Sequence, residues 1–369
     1  MKDKQKRIDS IKELLKKVDD KDFNVYFFVI DSKGNPSGSL EYVYSVAYTF
    51  KELGYRVAML HQEENFVGVG DWLGSKYAEL PHYNIAKENV EVSNVDYLFV
   101  PEYQASILSQ VKDLPCKKIG ILTNKAYLTD VMPVTATWAK FGIGDVITNT
   151  DGNKKFIETY FPGVRAWHIS PCIGNAFRKQ VDVLKSPVVN LCVKKPEDVK
   201  RIMKTFYWKY PLYNWVSFRD IRGFGHEKLA DILNEGFLTV WSDSDTAFGY
   251  AALEALRCGS IVLGKIPDEP NDWMVSKDAL TPAIVWFDNY DVVVDMIASL
   301  VRTWTLDAVP DGITASVDSL NECFTADDQK NEVENIFTNN ILESRKKDFH
   351  IMIAHLESVE EDKEESNEE

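Results

Sequence analysis

The chain has 369 residues, 45% hydrophobic and 12% aromatic, which is enough for two domains of ordinary size, each with a full core. Its net charge is -15, and the eight acids and single lysine of residues 357–369 contribute -7 of it. The body is therefore moderately acidic and has no basic stripe, which disfavours a nucleic-acid backbone as the main partner. The five cysteines are an odd number with no CxxC pair, which argues against a disulfide framework and a zinc knuckle.

Residues 1–21 are highly charged, with Ile8, Ile11, Leu15 and Val18 on one helical face, so a terminal helix packed on the body is expected. Residues 24–30 form a β-run. A turn-rich loop follows, containing Gly34, Pro36 and Gly38, then a helix over 39–53 with Leu40, Val43, Ala47 and Phe50 on one face. Gly54 stops that helix before a strand at 56–60, completing a right-handed βαβ unit. Further β-runs at 96–100, 118–122, 145–148 and 166–169, with a helix over 152–160, close one α/β domain near residue 170.

The punctuation of Pro171 and Gly174 reads as a linker. A second alternating series then begins: strand 188–193, helix 196–207, strand 215–218, helix 226–234, strand 237–241, helix 248–258 and strand 261–264. A strand at 284–287, a helix at 292–301 and a long amphipathic helix over about 330–356 complete it. Expected boundaries are 1–21 for the terminal helix, 22–172 and 173–325 for the two domains, 326–356 for a helix crossing back to the first domain, and 357–369 for an acidic disordered tail. No apolar run approaches the roughly 18 residues of a membrane span, and the N-terminus lacks a signal-peptide core. The expected location is cytoplasmic.

The most informative stretch is Trp241 to Gly264, read as strand, tight loop, helix and strand. Such a turn aims a helix N-terminus at whatever lies above the sheet edge, an arrangement suited to phosphates. Phe248-Gly-Tyr-Ala-Ala-Leu-Glu254 and the segment Pro171 to Phe177 resemble GT-B glycosyltransferases, closest to the retaining group called family 4. The early βαβ unit and the C-terminal helix are similar too, though many α/β proteins share them.

The resemblance implies two Rossmann-like domains facing a cleft. It implies sugar transfer from a nucleotide-diphosphate donor to an unknown acceptor hydroxyl, hexosyl or related, with retention. In that family two glutamates separated by seven residues mark this stretch, and the second hydrogen-bonds the donor ribose. Glu254 occupies that second position; Thr246 stands at the first, with Asp245 one residue away as a substitute. The family also often carries a first-domain histidine near the donor sugar, for which only His61 and His82 are candidates by position.

Asp243-Ser-Asp245 reads first as helix capping, then as sugar contact, then as a D-x-D metal pair. No cofactor or bound metal is expected beyond the donor. A departing diphosphate needs cations, and Lys194, Lys195, Arg219 and Arg222 directly follow expected strands at the cleft. Gly38 and Ser39 would cradle the diphosphate or acceptor, and Phe248 and Gly249 would approach the donor. Glu102, Asn124 and Lys125 stand at strand ends on the acceptor side, while Trp72, Trp138, Tyr42 and Tyr44 read mainly as core. Two alternatives stay open: a non-catalytic GT-B binding or structural protein, and a nucleotide-sugar epimerase, for which no acid/base pair is visible.

Overall fold

A computed structural model describes residues 2–268, 270–271, 273–274, 284–305, 320 and 323–358. Of the expected acidic tail, 359–369 lies outside them, while Glu357 and Ser358 end the last helix. Helix α1 (Lys2–Asp19) leads into β1 (Asn24–Phe28), α2 (Gly38–Glu52) and β2 (Arg56–His61). The short pieces α3 (Gly70–Leu73), α4 (Ser75–Ala78) and β3 (His82–Asn84) come next. Then follow β4 (Tyr97–Pro101), α5 (Ala105–Val111), β5 (Lys117–Leu122), α6 (Lys125–Val131), β6 (Ile143–Thr148), α7 (Asp151–Tyr160) and β7 (Arg165–His168). These seven strands form one parallel sheet in the order β3-β2-β1-β4-β5-β6-β7.

The second sheet holds β8 (Ser186–Val193), β9 (Ser217–Asp220), β10 (Gly236–Ser242), β11 (Ile261–Lys265) and β12 (Ile284–Phe287). Its order is β12-β11-β10-β8-β9, again all parallel, with Val240 opposite Leu191 and Leu263. Between its strands run α8 (Pro196–Lys209), α9 (His226–Glu235) and α10 (Tyr250–Arg257), and after it α11 (Tyr290–Thr305). Both faces of each sheet are covered, so central strands are near-continuous apolar runs; Val25, Phe27 and Phe28 are at most 2% exposed. The order reverses beside β1 in one sheet and beside β8 in the other, and ligands in such sheets sit at these switch points.

The C-terminal helix begins at a capping box of Thr325 and Asp328, runs Ala326–Val333, widens to a π-helical turn over Glu334–Leu342, and continues as Glu343–Ser358. It packs on the first sheet's layer. Phe337 meets Phe50 edge-on at 4.7 Å, and Thr49 donates to Gln329 Oε1 at 3.0 Å. Trp138, Tyr42 and Tyr44 are fully buried core side chains, and Trp72 is buried with its Nε1 donating to Ser32.

Two expected elements sit elsewhere. The strand expected at 215–218 begins at Ser217, because a 3₁₀ turn at Pro211–Tyr213 closes with Val216 N–H donating to Tyr213. Arg219 is therefore inside β9, paired with Asn190, and does not follow the strand. Helix α10 starts at Tyr250, not at Phe248, because Gly249 takes a left-handed φ of 82°.

Candidate functional site

The loops after β1, β5, β6, β8 and β10 converge between the two sheets on two adjoining cavities. The smaller, about 270 Å³, is lined by Gly38 and Ser39 from the first lobe and by Lys194, Thr246, Phe248 and Gly249 from the second. The larger, about 320 Å³, is lined by Asn124, Asn149, Asp151 and His168 on one side and by Asp245, Thr246 and Phe248 on the other.

Two helix N-termini meet at the smaller cavity. An added Cβ on Gly38, the first residue of α2, would lie 2.9 Å from the Tyr250 ring, so glycine lets the first turns of α2 and α10 touch. Gly249 is held from behind: a Cβ there would collide with Met274, and Trp273 Nε1 donates to the Phe248 carbonyl at 2.8 Å. Unpaired N–H groups at both helix starts give the cavity anion-binding character.

Asn124 lies between the cavities and joins the lobes. Its Oδ1 accepts from Ala126 N–H at 2.9 Å, capping α6, and its Nδ2 donates to the Asp245 carbonyl at 2.8 Å. Behind it Glu102 is fully buried. Its Oε1 accepts from Thr123 N–H at 3.1 Å, from Asn124 N–H at 2.9 Å and from the Thr123 hydroxyl, while Oε2 has no partner. Burial pushes its carboxyl up to about 7, against the pull of those donors. Glu102 thus positions the cavity floor and does not line the acceptor side as its strand-end place suggested.

The expected cations are mostly engaged. Lys194 Nζ donates to Asp243 Oδ1 and Asp245 Oδ2, each at 3.0 Å. Burial works against its charge, but the two carboxylates outweigh burial and hold its pKa above the ordinary value. Neither aspartate caps α10, whose N-cap is Gly249 with no side-chain bond. Arg222 forks onto Asp220, and Arg219 Nη1 pairs with Glu235 at 2.8 Å. Lys195 is the exposed N-cap position of α8. Arg219, Arg222 and Lys195 line neither cavity.

Glu254 also lies off both walls. Its carboxylate is 3% exposed and points into the seam between the lobes, one turn below the cavity. There it meets Glu41 of α2 and His226 of α9, with one ligand atom from each residue within 4.8 Å of the others. His226 Nε2 is 3.4 Å from Glu41 Oε2. Burial alone would lower the imidazole, but Glu41, and less strongly Glu254, raise it to about 9. Burial first and the Glu41 charge second push Glu254 well above the carboxylate range.

His61 and His82 lie at the far edge of the first sheet, His61 stacked on Phe66 at 4.0 Å and His82 bonded to Tyr44. The histidines at the crevice are His168, whose Nδ1 is 3.0 Å from Asp151 Oδ1, and His226. His168 ends β7, a strand-end signal legible in the sequence; nothing local marks Glu41, an ordinary first-turn acid. Asn149 and Asn153 were not anticipated either; Asn153 donates to Asn149 Oδ1 at 2.8 Å and to the Thr123 carbonyl at 3.0 Å.

No protein-family model matches the sequence, and no curated protein does. Solved structures do match. A pneumococcal O-GlcNAc transferase in complex with UDP and GlcNAc aligns at TM-score 0.60 and 8% identity, covering 90% of this chain and 99% of that one. Sucrose-phosphate synthase from Thermosynechococcus elongatus aligns at 0.58 and 10%, covering 86% and 98%. The catalytic domain of starch synthase IV from Arabidopsis thaliana, bound to ADP and acarbose, aligns at 0.56 and 8%, covering 86% and 99%. At these identities the likeness is one of fold: the chain has the GT-B fold of two parallel α/β lobes facing a crevice.

Proposed function

We propose that the protein is a glycosyltransferase that holds a nucleotide-diphosphate sugar in the smaller cavity and an acceptor hydroxyl in the larger. One observation carries this reading: the smaller cavity joins Gly38 and Ser39 of one lobe to Lys194, Thr246, Phe248 and Gly249 of the other. In the proposed arrangement the diphosphate spans the N–H groups at the starts of α2 and α10, and Lys194 stabilises the leaving group's charge. Thr246 and Asp245 take the donor sugar's hydroxyls, and Asn124, Asn149 and His168 face the acceptor. Transfer proceeds with retention, as in the family the sequence resembles. Glu254 reaches the ribose only when the lobes part, because Glu41 and His226 cover it in the closed seam. The ligands bound in the fold neighbours, UDP in one and ADP in another, support a nucleoside diphosphate as the shared handle.

A second reading, a GT-B module that binds without turnover, is favoured by the engagement of Lys194, Arg219 and Arg222 with aspartates or glutamate. An incoming diphosphate must compete with those carboxylates. A panel of UDP- and ADP-sugars separates the readings by thermal shift and hydrolysis. The enzyme reading expects one donor to raise Tm and to be slowly hydrolysed, with Lys194→Ala weakening it about tenfold, the size of one charge-assisted contact. Binding without hydrolysis moves the assignment to the module, and no binding by any donor removes both.

A further inference from the structure

The Glu41, His226 and Glu254 cluster is distinct from the cavities, and in this closed seam Glu254 is withdrawn from the donor ribose that the proposed function has it reach when the lobes part. Each of its side chains is at least nine-tenths buried: Glu41 is 4% exposed, His226 8% and Glu254 3%. They come from three helices and both lobes, α2 on one side and α9 and α10 on the other. One pair is engaged, His226 Nε2 to Glu41 Oε2 at 3.4 Å. Glu254 accepts no hydrogen bond among the described residues, although it is buried and aimed at the other two. The Tyr250 hydroxyl, on the same helix, is also buried without a partner, and burial together with the nearby Glu41 charge raises its pKa. A buried carboxylate and a buried phenol left unpaired at one place are costly unless something polar joins them.

We propose that Glu41, His226 and Glu254 form a binding site for a divalent metal ion of the zinc class, which staples the two lobes in the closed arrangement. Two carboxylate oxygens and one imidazole nitrogen are a donor set that Zn²⁺ accepts, with a further position open. Two carboxylates and a divalent cation are neutral together, so the ion leaves no uncompensated charge in the buried seam. His226 is held between rings, 5.0 Å from Phe177 and 5.8 Å from Trp72, which fixes the direction of its ligand nitrogen. The role is structural, and its test reads metal binding with no nucleotide sugar present, so it stands or fails separately from the transferase reading.

Titration of the chelator-stripped full chain with ZnCl₂ by calorimetry is expected to show one tight equivalent and a rise in Tm. Glu41→Gln and His226→Asn should each weaken that equivalent about 100-fold, at least the loss seen when supporting groups of metal sites are removed. No stoichiometric binding, or binding that survives both substitutions, overturns the proposal. Should either variant fail to fold, Co²⁺ on the unaltered chain decides. Visible absorption without a sulfur-to-cobalt band supports the oxygen and nitrogen set. A thiolate band places the ion on cysteine and rejects the site.

Discussion

The smaller cavity and the closed seam are built from the same two helices, one turn apart. On α2, Gly38 and Ser39 face the cavity while Glu41 enters the seam. On α10, Gly249 and Tyr250 border the cavity while Glu254 enters the seam. The cavity offers backbone N–H groups and a lysine to an anion. The seam offers two carboxylates and an imidazole, a place for a cation or a proton. A single turn of helix thus reverses the preferred charge, because it exchanges helix-terminal donors for side chains that the opposite lobe covers.

The two buried carboxylates sharpen the contrast. Glu102, under the cavity, accepts bonds from Thr123 and Asn124, whereas Glu254 accepts none among the described residues.

The largest expected effect lies in the seam. Glu41→Ala leaves His226 buried without its carboxylate and should lower the stability of the metal-free chain by about 4 kcal/mol, the usual result of removing one partner of a buried pair. Glu254→Gln should change it by less than about 1 kcal/mol, since no bond to its carboxylate is lost. Urea unfolding of both variants checks this; equal losses would show that Glu254 is as firmly paired as Glu41.

Next is Glu102. Its folded-state pKa, about 7, lies above the ordinary 4.5, so the folded chain keeps a proton that the unfolded chain releases between those values. Its contribution is complete below about pH 4.5 and falls as pH rises to about 7, by about 3 kcal/mol in all. Glu102→Gln keeps an acceptor oxygen for Thr123 and Asn124 and should abolish that slope. The stability difference between the two chains is therefore expected to change between pH 5 and pH 8; a constant difference sinks the assignment.

A smaller loss than in the Glu41 and Glu102 cases is expected at the contact between the lobes. Asn124→Ala removes the α6 cap and the bond to Asp245, and should cost about 1–2 kcal/mol. A loss below about 0.3 kcal/mol in thermal or urea unfolding would mean that the bond across the lobes contributes little.

The sequence alone determined the architecture and part of the cavity. Strand and helix periods, Gly54 and Gly249 as punctuation, and the run from Trp241 to Gly264 are local signals, and local backbone physics converts them into a βα series. Gly38, Ser39, Lys194, Thr246, Phe248 and Gly249 were legible because strand-end position in an α/β sheet already says which face they occupy. Only the tertiary structure decided how the charges pair. Arg219 turned to Glu235, Lys194 to Asp243 and Asp245, and Glu254 to a glutamate and a histidine of other helices. Pairing and protonation depend on burial and on neighbours brought in from distant chain segments, and no spacing along the chain encodes them.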